Sequence, residues 1–223
     1  MMLNVVGPDG VEAPAQDILE QNVGLVNWFR SNSLFKCSSG AQCRVKYWEL
    51  GNELDWPNTN WSADKVAERT KPVIKRLKEL DPNIGILSLG KTAPWNTPDL
   101  SSVFNATLAS ILGGDVVGVT LHPYYDGYDI PSMMQWIEKT LQPYIAINAD
   151  AKVVITEHGR WPTQTSTNWA DDWHKASGSI GAVSSADFIL SIMSLPGVEA
   201  AAWHGLGVKG PWQLFHYDIA ADE

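Results

Sequence analysis

Two glutamates stand where apolar runs give way to polar, glycine-marked turns. Glu53 closes the stretch Lys46-Tyr47-Trp48-Glu49-Leu50-Gly51-Asn52-Glu53, and Glu157 follows the apolar run in Val153-Val154-Ile155-Thr156-Glu157-His158-Gly159. A buried strand that ends by delivering a carboxyl group to a loop places that group on a rigid support. Two such groups can divide the work of breaking a glycosidic bond. One carboxylic acid protonates the leaving oxygen, while the other carboxylate attacks the sugar or activates water from the opposite face. The acid must hold its proton near neutral pH while its partner stays ionised. A separation of roughly 5–5.5 Å implies retention of anomeric configuration, and roughly 6.5–9.5 Å implies inversion. Glu49, four residues before Glu53, lies within the strand leading to it and reads as an interior carboxylate.

The elements that must position these groups follow from hydrophobic period and turn chemistry. Strands are expected near 2–6, 45–50, 84–89, 115–121, 152–156 and 198–203. Helices are expected over 16–30, from Ser62 as N-cap to about residue 80, and over 100–112, 132–147 and 180–195. Pro72 and Pro143 fall inside two of these helices and weaken them. The fourth strand delivers His122-Pro123-Tyr124-Tyr125 to a loop, and a long Trp/Thr/Asn-rich loop begins near Arg160. Strands alternating with helices, and reading as near-continuous apolar runs, indicate a parallel α/β sheet covered by helices. No GxGxxG or Walker pattern follows any strand, so nucleotide binding on a doubly wound sheet loses support. Polar and aromatic residues gather instead behind several strand ends, where (β/α)8 barrels carry their active sites.

The totals agree with one globular domain. The chain has 223 residues, of which 44% are hydrophobic and 18% charged. A formal charge of −9 disfavours nucleic acid or an anionic membrane as partner. No run approaches the ~20 apolar residues of a membrane span, and no signal peptide is visible at the N-terminus. Cys37 and Cys43 flank a Ser/Gly-rich loop and are read either as a loop disulfide or as two unrelated thiols. Asn60-Trp61-Ser62 and Asn105-Ala106-Thr107 match the N-glycosylation pattern.

The stretch Tyr47-Trp48-Glu49-Leu50-Gly51-Asn52-Glu53 resembles the acid/base motif of clan A glycoside hydrolases, which carry Asn-Glu at the end of barrel strand 4. Ile155-Thr156-Glu157 resembles their nucleophile strand 7. The wording is closest to family 51 α-L-arabinofuranosidases, with families 39 and 79 related. The resemblance implies a (β/α)8 TIM barrel in which strands 3 to 8 are present, with residues 1–223 forming a partial catalytic domain. Strands 1 and 2 and a C-terminal β-sandwich are expected to be missing. By the same resemblance Glu53 is the general acid/base and Glu157 the nucleophile of a retaining mechanism. Asn52 is expected to bind the sugar 2-hydroxyl, and His122 and Tyr124 to orient the nucleophile or touch the sugar. Trp203 is expected as a subsite floor. Trp56, Trp61, Trp95 and Trp161 are expected to stack on further sugar units, and a loop-anchoring role for each stands beside that one. Residues His158-Gly159 depart from the Trp-Asn that usually follows the nucleophile in family 51, which bears on sugar specificity.

The reading is therefore a retaining glycosidase acting on an α-L-arabinofuranoside of plant cell-wall polysaccharide, with no cofactor and an extracellular parent protein. Other clan A glycosidases (xylosidase, glucuronidase, endo-glucanase) form the alternative specificity. A non-catalytic carbohydrate-binding fragment is the second class. A metal-dependent hydrolase using His122, His158 and His204 is a third, and the spacing of these histidines suggests no coordinated set.

Overall fold

The structure, a computed structural model, describes residues 1–6, 12–32, 44–56, 59–92, 98–125, 130–161 and 179–204. Cys37, Cys43 and Trp95 lie outside the described residues. The chain divides into two compact units, Met1–Thr120 with Thr140–Ala151, and Leu121–Lys139 with Lys152–Glu223.

The first unit holds a parallel ladder of β1 (Met2–Leu3), β2 (Tyr47–Leu50), β3 (Gly85–Leu89) and β4 (Gly118–Leu121), whose last residue begins the second unit. Register runs Leu3↔Leu50, Glu49↔Leu87 and Leu89↔Thr120. Every residue of β3 and β4 is buried, as expected of parallel strands covered on both faces. Parallel neighbours need crossovers, and these are α1 (Ala15–Ser31), α2 (Ala63–Leu80) and α3 (Pro98–Leu112). In α1 the inward residues Ile18, Asn22 and Val26 recur every four positions. Asn22 is buried because it is paired: its side-chain amide donates to Asn4 O and its carbonyl accepts from Asn4 N, tying α1 to the segment after β1. Ser62 caps α2, accepting from Lys65 N at 3.2 Å. That helix continues through Pro72, which lies on its exposed side where water can serve the carbonyl left without a partner. Asn105 of α3 is 2% exposed and bonded to Lys91 N and Thr140 Oγ1. Its glycosylation pattern is thus closed by folding.

The second unit contains β5 (Tyr124–Tyr125), β6 (Lys152–Arg160), β7 (Val198–Trp203) and α5 (Ser179–Met193). The helix α4 (Ile130–Ile145) begins in it and passes into the first unit at Thr140. β6 pairs in parallel with β7 along its length and with β5 at its C-terminal end, through Tyr124↔Gly159 and Tyr125↔Arg160. Two expectations change here. Tyr124 and Tyr125 form a short strand rather than a loop. The strand expected over 152–156 runs on to Arg160, so Glu157 lies within it. The core of this unit is aromatic: Phe188 of α5 stacks on Tyr125 at 4.2 Å and lies 5.1 Å from the His158 ring. Residues 199–202 of β7 are exposed, as are Val183, Leu190 and Met193 of α5.

At Gly51 a side chain has no room. Its φ is +75°, and a Cβ there would lie 2.5 Å from Val5 Cγ2 and 2.9 Å from Leu54 Cδ1. Gly51→Ala should therefore lower stability by about 1–3 kcal/mol in urea unfolding, from strain and overpacking together. A loss within error of zero would show that the Asn52-Glu53 turn can relax.

Candidate active site

Each glutamate is positioned by a local irregularity, and the two are described in turn. Behind β2 the chain reverses at Gly51, and Glu53 itself has φ +45°, a left-handed conformation that costs a side-chain-bearing residue roughly 1–2 kcal/mol. The turn is braced from several directions. Glu53 O accepts from Trp56 N at 2.9 Å, and Leu54 O accepts from Trp61 N at 2.9 Å. Asp55 is buried and reaches the residues beyond β3: it pairs with the Lys91 ammonium and accepts from Thr92 N and from Thr92 Oγ1 at 2.8 Å. A buried carboxylate held by a cation and a hydroxyl resists movement, because moving away from the Lys91 ammonium would leave its charge desolvated and unpaired. Asn52 is exposed, Glu53 half-buried and Trp56 exposed. The ammonium of Lys65 lies 5.9 Å from the Trp61 ring centroid.

In the second unit β6 and β7 shift register twice, between Val153 and Val154 and again between Ile155 and His158, and the second shift is the β-bulge that bears on the site. Ile155 pairs with Ala201 and His158 with Trp203, so three steps along β6 meet two along β7. The extra residue falls at Thr156-Glu157. A bulge re-aims side chains, and here Thr156 and Glu157, adjacent in sequence, both reach His122. Its Nε2 lies 3.0 Å from Thr156 Oγ1 and its Nδ1 3.4 Å from Glu157 Oε1. Tyr124 donates its hydroxyl to Glu157 Oε1 at 2.7 Å, and His204 Nδ1 lies 2.9 Å from Glu157 Oε2. Both carboxylate oxygens are thereby engaged, on a side chain that is 20% exposed.

The next residue turns away. His158 is 3% exposed, with Nδ1 3.3 Å from the Tyr125 hydroxyl and its ring edge-on to Trp203 at 5.2 Å. Burial lowers its pKa from 6.5 to about 4, so the core holds it neutral.

Of the residues singled out in the sequence, Glu157, His122 and Tyr124 come together. Trp161 joins them beside β6, edge-on to the Tyr124 ring at 6.1 Å. Trp203 packs against His158 instead. His204, which the sequence offers only as one of three histidines for a metal, joins this cluster through Glu157 Oε2, while His158 of the same set does not. The signal for His204 was the one used elsewhere, a polar residue directly behind an apolar strand.

No protein-family model matches the chain, and no curated protein matches it. Solved structures do. The chain is similar to AbfB, a family 51 α-L-arabinofuranosidase from Bifidobacterium longum, with TM-score 0.57 and 16% identity, covering 86% of this chain and 42% of that one. It is similar to a glucosidase from Croceicoccus marinus, with TM-score 0.54 and 14% identity, covering 84% and 38%. BuGH86wt, solved in complex with neoagarooctaose, gives TM-score 0.61 and 12% identity over 88% of this chain and 35% of that one. At such identities the likeness establishes the fold: an α/β arrangement of parallel strands and helices shared with part of these chains. The chain spans less than half the length of each. Among the described residues, no helix is long and apolar enough to cross a membrane.

The neutral His158 makes stability depend on pH. Between pH 6.5 and about 4 the unfolded chain takes up a proton that the folded chain refuses, so stability falls over that window and levels off below it. The loss should reach roughly 3 kcal/mol at most. His158→Gln should flatten this part of the profile in urea unfolding at pH 7.5, 5.5 and 4.5. An identical slope in the variant would remove His158 as the cause.

Proposed function

We propose that residues 1–223 carry part of the catalytic barrel of a retaining glycoside hydrolase, with Glu157 as nucleophile and Glu53 as general acid/base. The observation that carries the proposal is the Glu157 carboxylate, held on Oε1 by the Tyr124 hydroxyl and on Oε2 by His204 at a bulge in a parallel strand. A carboxylate aimed by hydrogen-bond partners on both oxygens is suited to attack an anomeric carbon. The likeness of fold to glycosidase chains supports the same reading.

In the proposed reaction Glu53 protonates the leaving oxygen as Glu157 forms the glycosyl–enzyme bond. Glu53, now a carboxylate, then takes a proton from water as that water attacks the same carbon and releases Glu157. Asn52 is assigned to the sugar 2-hydroxyl, a contact that strengthens in the oxocarbenium-like transition state. Trp56 and Trp161 are assigned to stacking on oligo- or polysaccharide. The substrate proposed is an α-L-arabinofuranoside of plant cell-wall polysaccharide, a preference supported by the Trp-Glu-Leu-Gly-Asn-Glu wording. A non-catalytic carbohydrate-binding role is the second reading, for which the exposed indole of Trp56 beside the Asn52-Glu53 turn would serve without chemistry.

A panel of chromogenic glycosides tests the specificity: turnover of another sugar with none of arabinofuranoside would overturn the substrate and leave the mechanism standing. Glu157→Ala should lower kcat by roughly 10⁴-fold or more, and azide should rescue it with a product of inverted configuration. Undiminished activity in that variant would sink the assignment of Glu157. Oligosaccharide binding by calorimetry with no turnover at all would favour the binding role.

A further inference from the structure

We propose that His204 is a positioning residue for Glu157, fixing the plane of its carboxylate by donating from Nδ1 to Oε2. The inference rests on Glu157 being the nucleophile.

The phase of β7 decides which of its last side chains reaches Glu157. Trp203 pairs in register with His158 and lies edge-on to it at 5.2 Å, which commits that position to the core. The next residue then projects to the other side, as strand alternation requires. Its backbone is held there by His204 N donating to His158 O at 2.9 Å. A slip of one residue would exchange Trp203 and His204.

The donors around Glu157 are unevenly divided. Tyr124 is bonded to Oε1, and His122 Nδ1 faces the same oxygen at 3.4 Å, while His204 serves Oε2. A carboxylate held through one oxygen can still rotate about its terminal bond, and a donor on each oxygen stops that rotation. Near-attack geometry depends on such restraint. Because an ionised carboxylate only accepts, the proton between the two groups belongs to His204 Nδ1, which fixes the imidazole tautomer. The Tyr124 ring lies 6.1 Å from the His204 ring at 69°, so the two donors also brace each other.

Two measurements on the full chain test this. Nitrogen-15 NMR at pH 8 should find His204 as the Nδ1–H tautomer, reverting mainly to Nε2–H in Glu157→Ala. An Nε2–H tautomer in the unmodified, active chain would overturn the inference and leave the nucleophile assignment intact. On a glycoside that the chain hydrolyses, His204→Leu should lower kcat roughly 10- to 100-fold, the loss of one hydrogen bond to a charged group, with KM nearly unchanged. His204→Asn, whose side-chain amide can donate from about the place of Nδ1, should recover most of that kcat. Failure of Asn to improve on Leu, or a change confined to KM, would exclude positioning by a donated hydrogen bond. An unmodified chain without turnover on any glycoside overturns the nucleophile reading itself, and the catalytic role of His204 with it.

Discussion

The geometry around Glu157 depends on one extra residue in β6. In a regular parallel ladder Thr156 and Glu157 would point to opposite faces, and one His122 ring could not meet both. The bulge between Ile155 and His158 removes that restriction. It places Thr156 Oγ1 and Glu157 Oε1 within reach of the two nitrogens of one imidazole, and restores alternation in time for His158 to enter the core. The cost of a bulge is a locally interrupted ladder. Here the interruption is bounded, because His204 N donating to His158 O and the Tyr124↔Gly159 pair resume regular pairing just beyond it.

Consecutive residues of this strand therefore live in opposite environments. Glu157 is surrounded by polar side chains, with the Tyr124 hydroxyl and His122 at Oε1 and His204 at Oε2. His158 is surrounded by the rings of Tyr125, Phe188 and Trp203, where a charge would be poorly solvated, and it is held neutral. The second environment supports the first. The aromatic cluster sets the rotation of β6 and β7 about their axes, and so decides that Glu157 and His204 share a face. Phe188 contributes on the order of 2–3 kcal/mol by its burial alone, enough to resist a slip that would expose it.

Much of the scaffold was legible in the chain. The apolar stripes of α1 and α2, the Ser62 cap and the buried strands β3 and β4 follow from period and composition, because each is decided by residues a few positions apart. Glu53 behind β2 was legible for the same reason: Gly51 marks the reversal. The stretch Thr156-Glu157-His158-Gly159 is polar and glycine-bearing, which locally describes a terminus and puts Glu157 at a strand end. The strand continues because β5 and β7 supply partners for residues up to Arg160, and pairing over such a distance leaves no mark on the segment itself. The bulge was hidden in the same way, since it is a mismatch between two strands some 45 residues apart. His204 carries the local mark of a polar residue behind an apolar strand, but the side it faces is set by the phase of β7, through Trp203 meeting His158.

The two glutamates illustrate different ways of holding a carboxyl group still. Glu53 is placed by backbone strain: a left-handed residue behind a left-handed glycine, in a turn too tight for any side chain at Gly51. Such a turn persists only if its surroundings specify it, and the specification comes from Asp55, whose carboxylate is tied to Lys91 and Thr92 beyond the neighbouring strand. Glu157 is placed with no left-handed residue, by a register mismatch and by donors on both oxygens. In the proposed chemistry this difference is functional. An acid/base that gives up and regains a proton needs a fixed backbone and a side chain with access to water. A nucleophile that must approach one carbon needs its carboxylate plane fixed, which hydrogen bonds to the oxygens do more directly than any backbone conformation.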